Sequence, residues 1–276
     1  MRRPSGIVQI LRQFPLLAFA VLILFPFVMI FFAAFKTDAA VYMAPYNAPH
    51  PWSLAAFRTL FHGGQMFLYF RNSTIVTSSA IVLSIVLGSM MAYGLYRMGR
   101  FWGNLLWAVV SFGIMVPTQV NMVSLYIEFD KLNLLNSLFG LVIVDCTFLL
   151  PVTVFIVGGY LKTLPYGLLE AAQIDGASEW MLFLRIVTPL SGAAIATVAI
   201  FSLVMSWNDL LYPLLFIQSK GLQTLPLALL HFQGQYLTNY PALFAGVLIS
   251  AIPIVILYVI FQRFFMEGLT AGSIKG

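Results

Sequence analysis

Two aspartates, Asp145 and Asp209, stand inside long apolar runs that otherwise carry no charge. A charged side chain at membrane depth costs about 2.5–3.5 kcal/mol on insertion scales, so such a residue is a functional candidate. Its chemistry could be contact with a hydroxyl-rich solute, proton relay in a secondary transporter or pump, or acid–base work in an intramembrane hydrolase. Asp209 has company. Ser202, Ser206 and Asp209 follow i, i+4, i+7 spacing, which predicts one polar stripe on a helix, with Asn208 and Tyr212 adjacent. Thr118, Gln119 and Asn121 form a second polar group just beyond Pro117. Amide, hydroxyl and aromatic groups together suit a neutral polyhydroxylated ligand. The candidate solute path is therefore Gln119, Asn121, Ser206, Asn208, Asp209 and Tyr212. Such residues also join packed membrane helices, and spacing does not choose between the two roles. Asp145, beside Cys146, has no partner evident in the sequence and is read as structural.

Other chemistries find little support. His50, His62 and His231 are not in metal-binding spacing, and the single cysteine excludes an intramolecular disulfide framework or a cysteine-rich metal site. No metal and no cofactor are expected. No G-x-x-x-x-G-K-[ST] phosphate loop occurs, so the chain is not expected to hydrolyse ATP itself. No protease or phosphatase motif surrounds either aspartate. The net charge of +5 comes from basic residues scattered between apolar runs, which argues against a nucleic-acid surface.

The elements that must position these groups follow from composition. Of 276 residues only 8% are charged and 61% are hydrophobic, far from the roughly one quarter charged of a soluble domain. The run from Phe14 to Phe35 exceeds the core of a cleavable signal peptide. At about 1.5 Å per residue it spans a hydrocarbon core of about 30 Å, and it is read as a retained first helix. Five further runs follow at about 72–96, 104–127, 137–160, 189–217 and 241–262. Backbone amides in lipid must be satisfied internally, so these runs are expected to be helices. The fold class is thus an all-α, multi-pass membrane protein of about six spans, forming a single domain over 1–276. With the N-terminus in the cytoplasm, Arg2, Arg3, Arg12, Arg97, Arg100, Lys162, Arg185, Arg263 and Lys275 lie inside. Lys36, Arg58, Arg71, Lys131 and Lys220 lie outside, an asymmetry that favours both termini being cytoplasmic. Residues 36–71 are then the largest outer loop, and Pro45, Pro49 and Pro51 predict irregular structure there.

One cytoplasmic loop, 162–188, breaks the pattern of short connections. Pro165 suits a first helical turn and Leu168 to Ile174 are good helix formers. Gly176 supplies a turn, and Ser178 can cap a second helix that carries Glu179 early. Leu164, Leu168 and Ala172 are expected to share one face. The result is a helix, a tight turn and a helix at the membrane surface. It is either an amphipathic connector or a docking element, and periodicity leaves both open.

The residues of this loop resemble a known family. Glu170-Ala171-Ala172, three residues, Gly176, nine residues, Ile186, one residue and then Thr188-Pro189 is similar to the EAA loop of ABC-importer permeases. Thr188 stands where that pattern has leucine. The resemblance covers nearly the whole chain and points to the maltose-type sugar permeases. It includes Arg71-Asn72-Ser73, Ala92-Tyr93 with Arg97, Pro117 with Gln119, Trp207-Asn208-Asp209 and the tail Gly268–Gly276, while Met266-Glu267 is less basic than the family pattern. The resemblance implies a type I importer in the inner cell membrane. There a second permease, usually a similar chain and here expected to form a heterodimer, completes the pathway, an ATPase dimer binds ATP, and an extracytoplasmic binding protein delivers a carbohydrate-like solute. It also implies that Glu170, Ala171, Ala172, Asp175, Gly176, Ala177, Ile186 and Pro189 form the ATPase-coupling loop. A pump or an intramembrane enzyme would need no such loop.

Overall fold

The computed structural model describes residues 6–234 and 238–271. In chain order the helices are α1 (Gly6–Ala34), α2 (Asp38–Met43), α3 (Ala55–Phe61), α4 (Gln65–Arg97), α5 (Arg100–Phe112), α6 (Met122–Lys131) and α7 (Leu138–Leu161). Then come α8 (Tyr166–Ile174), α9 (Glu179–Leu182), α10 (Thr188–Leu190), α11 (Gly192–Trp207), α12 (Leu211–Phe216), α13 (Leu225–Leu229) and α14 (Tyr240–Ala271). No strand occurs among the described residues, and four helices are long and apolar enough to cross a membrane, or up to six if each of two bent pairs is one span. The all-helical membrane architecture follows from this. The familial tail beyond Ala271 lies outside the described residues.

The chain packs as two compact units. The first holds residues 1–67 and 229–252. Here α1 exposes apolar side chains around its circumference, Phe14, Leu16, Leu22 and Phe27 among them. A helix apolar all round is stable only where lipid or protein replaces water. After α1 the chain folds back, and Trp52 meets Phe31, Phe32 and Phe35 with ring centroids 5.4–6.3 Å apart. Lys36 is buried beneath this turn, donating to the carbonyls of Ala44 at 2.7 Å and Pro45 at 2.9 Å. The segment predicted as one irregular loop, 36–71, is therefore largely ordered. It contains α2, α3 and the start of α4, and only the proline-bearing stretch between α2 and α3 lacks helix.

The second unit holds residues 68–228 and 253–276, with α7 at its centre, against α5 and α11. At Gly88 on α4 a Cβ would lie 2.5 Å from Thr153 Cγ2 of α7, so the two helices meet where only glycine fits. Asn72, fully buried, donates to the carbonyls of Gly221 (2.9 Å) and Gln223 (3.0 Å), and Ser73 Oγ accepts from the Leu225 amide. These bonds give the Arg71-Asn72-Ser73 sequence a structural role: they fasten the start of the second span to a loop about 150 residues away.

Two predicted spans need correction. The run 104–127 is not one helix: its arms, Arg100–Met115 and Thr118–Lys131, diverge by 89°. Pro117 lacks an amide proton and forces Val116 into an extended conformation (φ −81°, ψ 118°), ending the first arm. The run 189–217 begins at a bend, since Glu179–Leu190 and Gly192–Trp207 diverge by 73° about Ser191, and α11 stops at Trp207. Pro151 and Pro253, by contrast, sit inside continuous helices.

Candidate functional site: an exposed loop and a cavity with two aspartates

Within the second unit, the loop between α7 and α11 folds as helix, turn, helix. Pro165 precedes α8, and the helix ends in a paired cap: the Gly176 amide donates to the Gln173 carbonyl (2.9 Å) and the Ala177 amide to the Ala172 carbonyl (3.0 Å). This pattern requires a left-handed residue, and Gly176 has φ +85°. Ser178 Oγ then accepts from the Met181 amide and caps α9. A π-helical turn, Phe183–Val187, leads through α10 into α11.

Leu169, Leu182, Phe183 and Val187 are buried against Tyr93 and Leu95 of α4 and Val154 and Val157 of α7, with Ala172, Ala177 and Ile186 packed on this core. Of the predicted face, Leu164 and Ala172 pack on this core and Leu168 does not. Leu164 precedes α8, and Leu168 is 40% exposed while Leu169 is buried. The helix begins two residues after Leu164, and packing on α4 and α7 selects the Leu169–Ala172 side. Outward face Glu170, Ala171, Asp175 and Gly176, together with Ile174, which is 87% exposed. Of the predicted coupling residues, Glu170, Ala171, Asp175 and Gly176 thus form the free turn. Ala172, Ala177 and Ile186 anchor it, and Pro189 lies in α10.

A carboxylate ties this turn to the second span. Glu179 accepts from Tyr93 Oη (2.6 Å), Arg97 Nε (3.2 Å), Arg97 Nη2 (2.7 Å) and Gln173 Nε2 (3.0 Å). The Arg97 guanidinium, then the Tyr93 hydroxyl, hold its pKa below the usual glutamate value. A depressed folded-state pKa means that the contact is present at neutral pH and is lost only as the pH falls through that lowered value. Glu179→Gln is expected to weaken ATP-driven uptake, with Arg97→Gln in that background adding little because the two share one interaction. Uptake assays on the single and double variants check this, and fully multiplicative losses would refute it. Sequence reading assigned Glu179 only to a capping turn. An Arg at the end of one span and a Glu 82 residues later carry no local signal that they meet.

The polar residues of the spans converge less completely. Thr118, Asp145, Phe148, Ser206, Asp209 and Tyr212 line a cavity of about 230 Å³. Ser206 Oγ donates to Asp145 Oδ2 and lies 3.2 Å from Thr77 Oγ1, joining α4, α7 and α11. Tyr212 stacks on Phe148 (centroids 4.9 Å) and donates to the Thr118 carbonyl at 3.0 Å. Asp209 Oδ1 accepts from the Leu211 amide at 3.1 Å, while its Oδ2 is buried without a hydrogen-bond partner. The expected continuous stripe fails because α11 ends at Trp207. Asp209 reaches the cavity through a turn in which its amide donates to the Ser206 carbonyl. Gln119 and Asn121 are exposed and not among the cavity-lining residues, and Asn208 spends its amide on the Val204 carbonyl. Asp145, read as lacking a partner, has one in Ser206 and also faces the cavity.

Bent apolar helices, an exposed helix–turn–helix loop and a half-open cavity faced by two aspartates are features of a membrane-embedded helical bundle. Residues 84–269 match the family described as binding-protein-dependent transport system inner membrane component. The arabinooligosaccharides transport system permease protein AraQ of Bacillus subtilis is 32% identical over 262 residues, covering 93% of this chain and 92% of that protein. The multiple sugar-binding transport system permease protein MsmG of Streptococcus mutans is 33% identical over 259 residues, covering 92% and 93%. A bacterial ABC transporter involved in import of the acidic polysaccharide alginate contains a chain of the same fold. Its TM-score is 0.82 at 21% identity, covering 96% of this chain and 99% of that one. The chain belongs to the family of binding-protein-dependent transport system inner membrane components.

Proposed function

We propose that this chain is one of two permease subunits of an ATP-driven importer for a neutral carbohydrate or related polyhydroxylated solute, acting as a single permease domain. ATP is bound and hydrolysed by a separate ATPase dimer, and an extracytoplasmic binding protein delivers the solute. The setting is the inner cell membrane, with both termini in the cytoplasm. The observation that carries this reading is the turn at Glu170–Gly176, whose spacing matches the EAA pattern and whose outward residues are free. The ATPase docks on that turn. Its closure moves α8 and α9, and the Glu179 contacts pass the movement to α4, biasing a two-state helix bundle. Sugar-transport relatives and a cavity that offers carboxylates, a hydroxyl and stacked aromatic rings support the solute class.

The test is affinity purification in mild detergent followed by reconstitution. An ATPase and a second permease should accompany the chain, and uptake of labelled oligosaccharide should need ATP and a binding protein. Uptake by the chain alone, driven by a proton gradient and abolished by Asp209→Asn, would instead establish a secondary transporter.

A further inference from the structure

A second cavity, of about 490 Å³, lies away from the exposed turn and the solute-path cavity and meets the loop only at its base, through Lys162 and Arg97. It lies where α4 ends, α5 begins and α7 ends, and Arg97, Arg100 and Lys162 line it together with Asn104 and Trp107. No acidic residue lines it. Arg97 is neutralised by Glu179, whereas among the described residues Arg100 and Lys162 form no salt bridge. The cavity therefore carries two uncompensated cations.

Its walls are set by close helix contacts. A Cβ on Gly103 would lie 2.5 Å from the Leu95 carbonyl oxygen, so α5 packs directly on the end of α4. A Cβ on Gly158 would lie 3.0 Å from Trp107 Nε1, so the indole is seated against α7. Lys162 Nζ is 3.8 Å from the Trp107 ring centroid, a contact that holds the ammonium over the ring. The α5 helix starts at this wall with Gly99 at its N-cap and no side-chain cap, leaving first-turn amides and the positive end of the helix dipole for an anion.

The surroundings say which anion. Phe101 and Trp102, next to Arg100, are 72% and 62% exposed, and Val109, about two turns further along α5, is 58% exposed. Cationic groups ringed by exposed aromatic and apolar side chains at the ends of spans suit the boundary between headgroups and acyl chains. A soluble anion would gain nothing from that rim. We propose that this cavity binds the phosphodiester headgroup of an anionic phospholipid, with Arg100 and Lys162 as its cationic contacts.

The experiment places the intact transporter complex in nanodiscs of phosphatidylcholine carrying a trace of photoactivatable phosphatidylglycerol or, in parallel, photoactivatable phosphatidylcholine. Crosslinks are mapped by mass spectrometry. Phosphatidylglycerol should label peptides of α5 and the end of α7 at least five-fold more than phosphatidylcholine. The yield should fall at least five-fold in Arg100→Gln/Lys162→Gln, and 10 mM inorganic phosphate should not compete. The exchange Arg100→Lys/Lys162→Arg, which keeps both charges, should retain the labelling and controls for a folding defect. Equal labelling by the two lipids in the wild-type complex overturns the proposal, as does labelling unchanged in the glutamine variant. Competition by inorganic phosphate would assign the cavity to a soluble anion and overturn it as well.

Discussion

Gly176→Val is expected to abolish most ATP-driven uptake while leaving the chain in the membrane at its normal level. The reason is backbone conformation alone. A Cβ at this position would meet nothing within 4 Å, so no clash is involved, but φ is +85°. An L-residue in left-handed conformation costs about 1–2 kcal/mol, and a β-branched one is worse. That is a factor of roughly 5–30 in the population of the capped turn. Without the turn, the amides of Gly176 and Ala177 lose their acceptors at Gln173 and Ala172, and the face of Glu170, Ala171 and Asp175 is no longer held outward. Uptake should fall at least ten-fold, and ATPase stimulation by loaded binding protein should fall with it. Gly176→Asn, a residue that tolerates the left-handed region, should retain much more activity. Wild-type uptake and coupling in the valine variant would sink the docking role of this loop.

The second large effect concerns stability. Ser206→Ala removes the donor from the buried Asp145 carboxyl and breaks the link between α4, α7 and α11. A buried polar group left unsatisfied costs about 1–3 kcal/mol, more if charged, which for a chain of this size is several degrees in Tm. Removing both partners leaves no orphan, so Ser206→Ala/Asp145→Leu should regain most of the loss. Asp145→Asn, which keeps an acceptor, should be milder than Ser206→Ala. Thermal unfolding of the purified complex in detergent measures all three. A Tm unchanged by Ser206→Ala, or losses that simply add in the double variant, would show that the contact does not hold the bundle together.

The turn at Gly176 and the Asp145–Ser206 contact differ in how far the sequence reveals them. The turn was legible because its determinants are local. Glycine at a left-handed cap and serine ahead of Glu179 each act within a few residues, and the structure has both where the spacing puts them, while Pro165, expected in the first helical turn, stands just before it. The face of α8 was misjudged because Leu168 and Leu169 are equally apolar, and only the packed partner distinguishes them. The bends were half legible. Pro117 is a residue that membrane helices can tolerate with a kink, and neither the 89° turn nor the early end of α11 at Trp207 follows from composition. In an apolar solvent both arms remain apolar whichever way they point, so hydropathy does not record the direction of a break.

By itself the sequence determined residence in the membrane, the helical class and the helix–turn–helix loop, because charge depletion and local backbone chemistry act over short stretches of chain. Only the tertiary structure decided which polar groups share a site. It joined Asp145 to Ser206 across 61 residues and Arg97 to Glu179 across 82, and it left Gln119, Asn121 and Asn208 outside the cavity that Asp145 and Asp209 face. In helices of nearly uniform apolarity any face can in principle turn inward. The choice is made where glycines such as Gly88 let two helices approach and bring buried donors within reach of buried acceptors.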